Sequence, residues 1–81
     1  MYYVYLIQSS KFPDQLYVGY TESIDQRLAT HNAGQSPHTA KYRPWNLIVS
    51  HVFPDKNKAL AFELYLKSGS GRAFSKRHFL G

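Results

Sequence analysis

The chain contains no cysteine. That excludes disulfides and thiolate-held zinc, and it fits a reducing cytosol, so a cytoplasmic protein is expected. Long apolar runs are missing as well. None approaches the roughly 20 residues that a bilayer crossing needs, which predicts no membrane partner. The first residues lack a charged region followed by an apolar stretch, so no signal peptide is expected. Internal repeats and low-complexity tracts are absent. Acidic side chains are scarce: five Asp and Glu stand against ten Lys and Arg, for a net charge of +5 and a pI near 9.6.

The scarcity is uneven. Residues 1–40 carry Lys11 and Arg27 against Asp14, Glu22 and Asp25, a net of −1. The excess of +6 lies entirely in residues 41–81, where only Asp55 and Glu63 are acidic. Such asymmetry predicts a polyanionic partner, nucleic acid foremost, with an ordinary basic surface as the bland alternative. With 81 residues, 43% of them hydrophobic, the chain reads as one small globular domain over 1–81.

Two apolar, β-prone runs open it: Tyr3-Val4-Tyr5-Leu6-Ile7 and Leu16-Tyr17-Val18-Gly19-Tyr20. The polar stretch Gln8–Gln15 between them predicts a β-hairpin. Alternation puts Tyr3, Tyr5 and Ile7 on one face and Val4 and Leu6 on the other, and the hairpin can bring Tyr5 to Tyr17. Aromatic packing across the strands is the plain explanation of that pair. A helix follows within Thr21–Gly34. Thr21 or Ser23 is its N-cap, Ser23 and Gln26 have capping-box spacing, and Gly34 stops it. Ile24 and Leu28 anchor this helix, while Arg27 and His31, four apart, share a side of it.

Gly34–Pro44 reads as a loop in which Lys41, Tyr42 and Arg43 could meet phosphate and stack on a base. Trp45–Phe53 reads as a third strand, its near-continuous apolar run suggesting a central position covered on both faces. Asp55 caps a helix running to about Lys67. Within it, Glu63 borders the apolar face, so it is expected to be paired, cation-bound or at a cleft edge. Ser68–Gly71 reads as a break, and Arg72–Leu80 as a short last helix with a basic strip of Arg72, Lys76 and Arg77. The order ββαβαα predicts an α+β fold, a small three-stranded antiparallel sheet flanked by about three helices.

Taken together, Tyr3-Val4-Tyr5, Tyr17-Val18-Gly19, Arg27, His31 and Glu63 resemble, in order, the motifs of the GIY-YIG nuclease superfamily. The resemblance covers Tyr2 to about Phe79 and is nearest to its short single-domain bacterial branch. It implies a DNA endonuclease, structure-specific (on branched or damaged DNA) and of low sequence specificity, using one divalent metal, Mg²⁺ with Mn²⁺ as a substitute. In that scheme Glu63 holds the metal, Tyr5 is the general base and Tyr17 orients water or phosphate. Arg27 clamps the phosphate, and His31 assists proton transfer or holds Tyr5. Gly19 lets the backbone approach closely after the strand. Lys41, Arg43, Lys67, Arg72, Lys76 and Arg77 are the candidate nucleic-acid contacts. Two departures stand out. Tyr3 replaces the glycine of the first motif, and no asparagine follows Glu63, where many members carry one. Ser75, or a neighbour within Arg72–Arg77, is the candidate stand-in. The alternatives are a nucleic-acid-binding module without efficient chemistry, and a subunit recruited by a protein partner.

Overall fold

The computed structural model describes residues 1–80. In chain order its elements are β1 (Tyr2–Ser9), β2 (Leu16–Thr21), α1 (Ile24–Asn32), α2 (Pro37–Ala40), β3 (Trp45–Phe53), α3 (Lys56–Lys67) and α4 (Gly69–His78). The strands form one antiparallel sheet in the order β2-β1-β3. The expected hairpin is β1–β2, with Tyr5 opposite Gly19 and Ile7 opposite Tyr17. The expected α+β architecture therefore holds, with a fourth, short helix added.

The third strand corrects the sequence reading. β3 lies at an edge, and β1 is central. Apolar content misled here because β3 keeps exposed positions, Leu47 and Val52 among them, while the deepest burial belongs to Val4–Ile7. Two smaller corrections concern breakers. Pro37 sits at the start of α2, where its missing N–H costs nothing, so the expected loop contains a helical turn. Ser68 alone separates the last two helices. Its hydroxyl caps α4 by accepting from the Gly71 N–H, and the helix begins at Gly69 rather than Arg72.

The sheet is covered on both faces. Tyr2, Val4, Val18 and Tyr20 face α3 and α4, packing with Ala59, Phe62, Leu66 and Phe74. On the opposite face Tyr5, Ile7 and Tyr17 pack with Ile24 and Leu28 of α1 and with Trp45. Each fully buried aliphatic side chain here contributes about 1.5–3 kcal/mol. α1 starts at Ser23, whose hydroxyl accepts from the Gln26 N–H, as the capping spacing predicts. It ends in a Schellman turn: the Gln35 N–H bonds the Thr30 carbonyl and the Gly34 N–H bonds that of His31. Gly34 takes φ +78 there, which is why a glycine stands at this stop.

Candidate active site

The site is built from β1 outward. Tyr5 points to the α1 face and is almost fully buried, at 3% exposure. Its ring needs the partner strand to be flat beneath it. A methyl group on Gly19 would overlap the Tyr5 hydroxyl and Cζ, so the glycine sits inside β2 and clears space for the phenol. That refines the expectation of a close backbone approach: what approaches is the Tyr5 ring.

α1 delivers His31 to the same point. Its Nε2 lies 2.9 Å from the Tyr5 hydroxyl oxygen, and its Nδ1 lies 2.8 Å from Thr39 Oγ1 on α2. His31 is 1% exposed. Tyr17 completes an aromatic triangle, its ring centroid 6.3 Å from Tyr5 and 5.1 Å from His31. Of the two tyrosines, the half-buried Tyr17 is the one that solvent reaches more. Arg27 is exposed one turn before His31, and its charge is felt at both Tyr5 and His31.

Glu63 starts from the other side of the sheet, on α3, which packs across β1 and β2. Its ion-pair partner Lys67 is the side chain that connects it with Tyr17. Lys67 Nζ is 3.3 Å from Glu63 Oε2 and 5.9 Å from the Tyr17 ring centroid. The Glu63 charge also acts on Tyr5. The carboxylate is part-buried, at the boundary that its spacing predicts. Its exposed partner Lys67 is the candidate nucleic-acid contact that lies against the Tyr17 ring. The pair is an i,i+4 helical ion pair, a type that contributes only about 0.3–0.5 kcal/mol, so a competing cation can open it.

Burial is the largest influence on the Tyr5 phenol and drives its pKa well above the ordinary tyrosine value; Tyr17 and Glu63 push the same way. Arg27 opposes them and loses. A free phenolate at Tyr5 is therefore disfavoured, and the shared proton with His31 is the form the geometry holds. Burial, then Arg27, lowers the His31 pKa below the usual imidazole value, so the ring is neutral at pH 7 and can receive a proton.

Beside the site runs a groove of about 890 Å³. Leu6, Val18 and Leu66 line it with Lys67, Arg72 and Lys76, and Tyr17 is part of its wall. Ser75 also lines it; this residue is 4% exposed, and its hydroxyl has no partner among the described residues. Arg77 is exposed but outside the groove. Lys41 and Arg43 lie away from it: Lys41 Nζ sits 5.2 Å from the Tyr42 ring centroid, and the Arg43 guanidinium covers Gly34. Tyr42, the base-stacking candidate, is half-buried and meets Phe12 and Trp45 edge-on.

Sequence reasoning missed Thr39 and Asn32. Thr39 holds His31 as described. Asn32 brackets the start of β3, accepting from the Trp45 N–H at 2.6 Å and donating to the Trp45 carbonyl at 3.2 Å. Neither belongs to a motif, and the only available signal was their nearness in the chain to His31 and Trp45.

The metal question turns on the donor set. Among the described residues, no cluster of three or more His, Asp or Glu side chains is assembled to hold an ion. Glu63 is a carboxylate whose charge acts on Tyr5, and Asp14 lines the adjoining groove. This suits Mg²⁺, which takes one or two carboxylates and fills its remaining positions with water and substrate phosphate. It does not suit a metal caged wholly by protein.

This fold and side-chain set define a class. The family model described as the GIY-YIG catalytic domain matches residues 1–77, and the chain belongs to that family, which is a nuclease superfamily. Its relatives include UPF0213 protein YsiG of Lactococcus lactis, 40% identical over 67 residues, a match covering 82% of this chain and 62% of that protein. A UPF0213 protein of Staphylococcus haemolyticus is 36% identical over 70 residues, covering 85% of this chain and 83% of the relative. The match thus spans less than two thirds of the Lactococcus protein. The solution NMR structure of UPF0213 protein BH0048 from Bacillus halodurans superposes with a TM-score of 0.56 at 29% identity, covering 95% of this chain and 82% of that one.

Proposed function

We propose that the chain is a metal-dependent endonuclease hydrolysing DNA phosphodiester bonds, directed by DNA structure more than by sequence. The observation that carries this reading is the buried Tyr5–His31 hydrogen bond beside Tyr17, with the Glu63 charge acting on Tyr5 and its ion-pair partner Lys67 against the Tyr17 ring. Attack begins with water near Tyr17. The Tyr5 oxygen takes a proton from that water while its own proton passes to His31 Nε2, so no free phenolate forms. The resulting hydroxide adds to phosphorus and the bond to the leaving oxygen breaks. Arg27 binds the phosphate oxygens and stabilises the charge that grows on them. Tyr17 orients the water by hydrogen bonding. Glu63 would hold the metal, Mg²⁺ or Mn²⁺, which when bound supplies Lewis-acid stabilisation of the phosphate and the leaving oxygen.

The groove gives the nucleic acid its path. Lys67, Arg72 and Lys76 contact phosphates, and the unpartnered Ser75 hydroxyl is the donor that α4 offers in place of the family's asparagine. Contacts to phosphate set position without reading bases, which supports low sequence specificity.

The test is direct. The purified chain is incubated with branched, nicked and linear DNA, with Mg²⁺ and with chelator. Cleavage that requires Mg²⁺ is expected. Steeply salt-dependent binding, with no cleavage on any substrate or metal, would instead establish a binding module that has lost its chemistry, the reading favoured by the missing asparagine.

A further inference from the structure

We propose that Thr39 is a positioning residue that fixes the tautomer of His31 and thereby sets the direction in which the Tyr5 proton moves. The inference rests on the proposed roles of Tyr5 and His31. Its basis is a count of donors and acceptors in a buried chain of contacts.

Tyr5 keeps its proton because the phenol is buried, and a buried O–H needs an acceptor. Among the described residues its hydrogen-bond partner is His31 Nε2, at 2.9 Å. That nitrogen must then be bare. A neutral imidazole carries one proton, so it sits on Nδ1, which faces Thr39 Oγ1 at 2.8 Å. The threonine oxygen accepts it and turns its own hydrogen towards the Ser36 carbonyl, 3.5 Å away. The chain of donation runs Tyr5 to His31 to Thr39 to Ser36. In the reverse tautomer, Nε2–H would point at the Tyr5 oxygen and the Tyr5 proton would lose its buried acceptor, a costly arrangement.

The surrounding structure is arranged to keep Thr39 in place. It is 1% exposed. The Trp45 indole N–H donates to its carbonyl at 2.9 Å, and Trp45 is itself bracketed by Asn32, the residue after His31. The proton step balances: the Tyr5 O–H bond breaks, a bond from hydrogen to Nε2 forms, and the imidazolium keeps its Nδ1–H on Thr39. Without the hydroxyl, Nδ1–H has nothing to bind and the bare nitrogen is no longer held towards Tyr5.

Two variants test this. Thr39→Val keeps the side-chain shape and removes the hydroxyl; Thr39→Ser keeps the hydroxyl. Imidazole ¹⁵N shifts of His31 at neutral pH report which nitrogen is protonated. The wild type and Thr39→Ser should show protonated Nδ1 and bare Nε2. Thr39→Val should shift towards Nε2–H, with kcat on DNA down on the order of 10²-fold, KM little changed and the acidic limb of the pH profile displaced. Protonated Nε2 in the wild type overturns the proposal, as does an unchanged tautomer in Thr39→Val. The spectra need no turnover, so a chain that cuts nothing defeats the nuclease reading while the tautomer is still decided. Should Thr39→Val not fold, Thr39→Ala removes the same hydroxyl and is read in the same way: a shift towards Nε2–H supports the proposal and an unchanged tautomer overturns it.

Discussion

At the scale of single residues, the site depends on two buried groups that are each held in the neutral form. Tyr5 is kept protonated by burial and His31 is kept unprotonated by burial and by Arg27. A second histidine behaves alike. His51 lies among Phe62 and Phe79, its Nε2 has no partner among the described residues, and burial lowers its pKa. The sign of the pH dependence follows. Unfolded histidines bind protons below about pH 6.5. The folded chain resists protonation at His31 and His51, so the unfolded state binds more protons and stability falls as pH drops through that value. Denaturant unfolding from pH 8 to pH 5 should show this decline, and removing His51 as His51→Phe should flatten part of it. A stability that rises on acidification would contradict the assignment of both rings. Tyr5, Tyr17, Arg27, His31 and Glu63 were legible in the sequence because they form an ordered set of chemically apt residues at family spacing. Thr39 was not legible: a threonine acts on His31 only through tertiary contact.

At the scale of elements, the hairpin and α1 were readable from local rules. Alternation, a capping serine and a glycine stop are short-range signals, and the structure keeps all three. β3 was not readable in the same way. Its apolar run resembles a central strand, yet strand order is decided by which edges pair, and β1 takes the middle. The junction of α1 and β3 explains how His31 stays in register with the sheet. Asn32 mimics a strand partner for Trp45, using both ends of its amide. Asn32→Ala leaves two backbone groups of Trp45 without those bonds and should destabilise the fold by about 1–3 kcal/mol. Denaturation midpoints measure it; a loss below about 0.5 kcal/mol would show that the bracket is dispensable.

At the scale of the whole molecule, the site and the charge lie on one continuous surface. Tyr17 and Lys67 belong both to the site and to the groove that carries Arg72 and Lys76. The basic second half was legible from composition, but its division was not: Lys67, Arg72 and Lys76 reach the groove, whereas Lys41 and Arg43 serve the loop. Binding should therefore weaken as salt rises, and the double variant Arg72→Ala with Lys76→Ala should lower the slope of log K against log salt by about 2, since each phosphate left without its cation removes about 0.9. An unchanged slope would move the nucleic acid to another face. One measurement bears most directly on the site: Mg²⁺-dependent cleavage by the wild type compared with Glu63→Ala and Tyr5→Phe, each checked for fold. Both variants should bind DNA and lose at least about 10²-fold in rate. If folded Glu63→Ala or Tyr5→Phe cuts as fast as the wild type, the site at the β2 edge is not where the chemistry occurs.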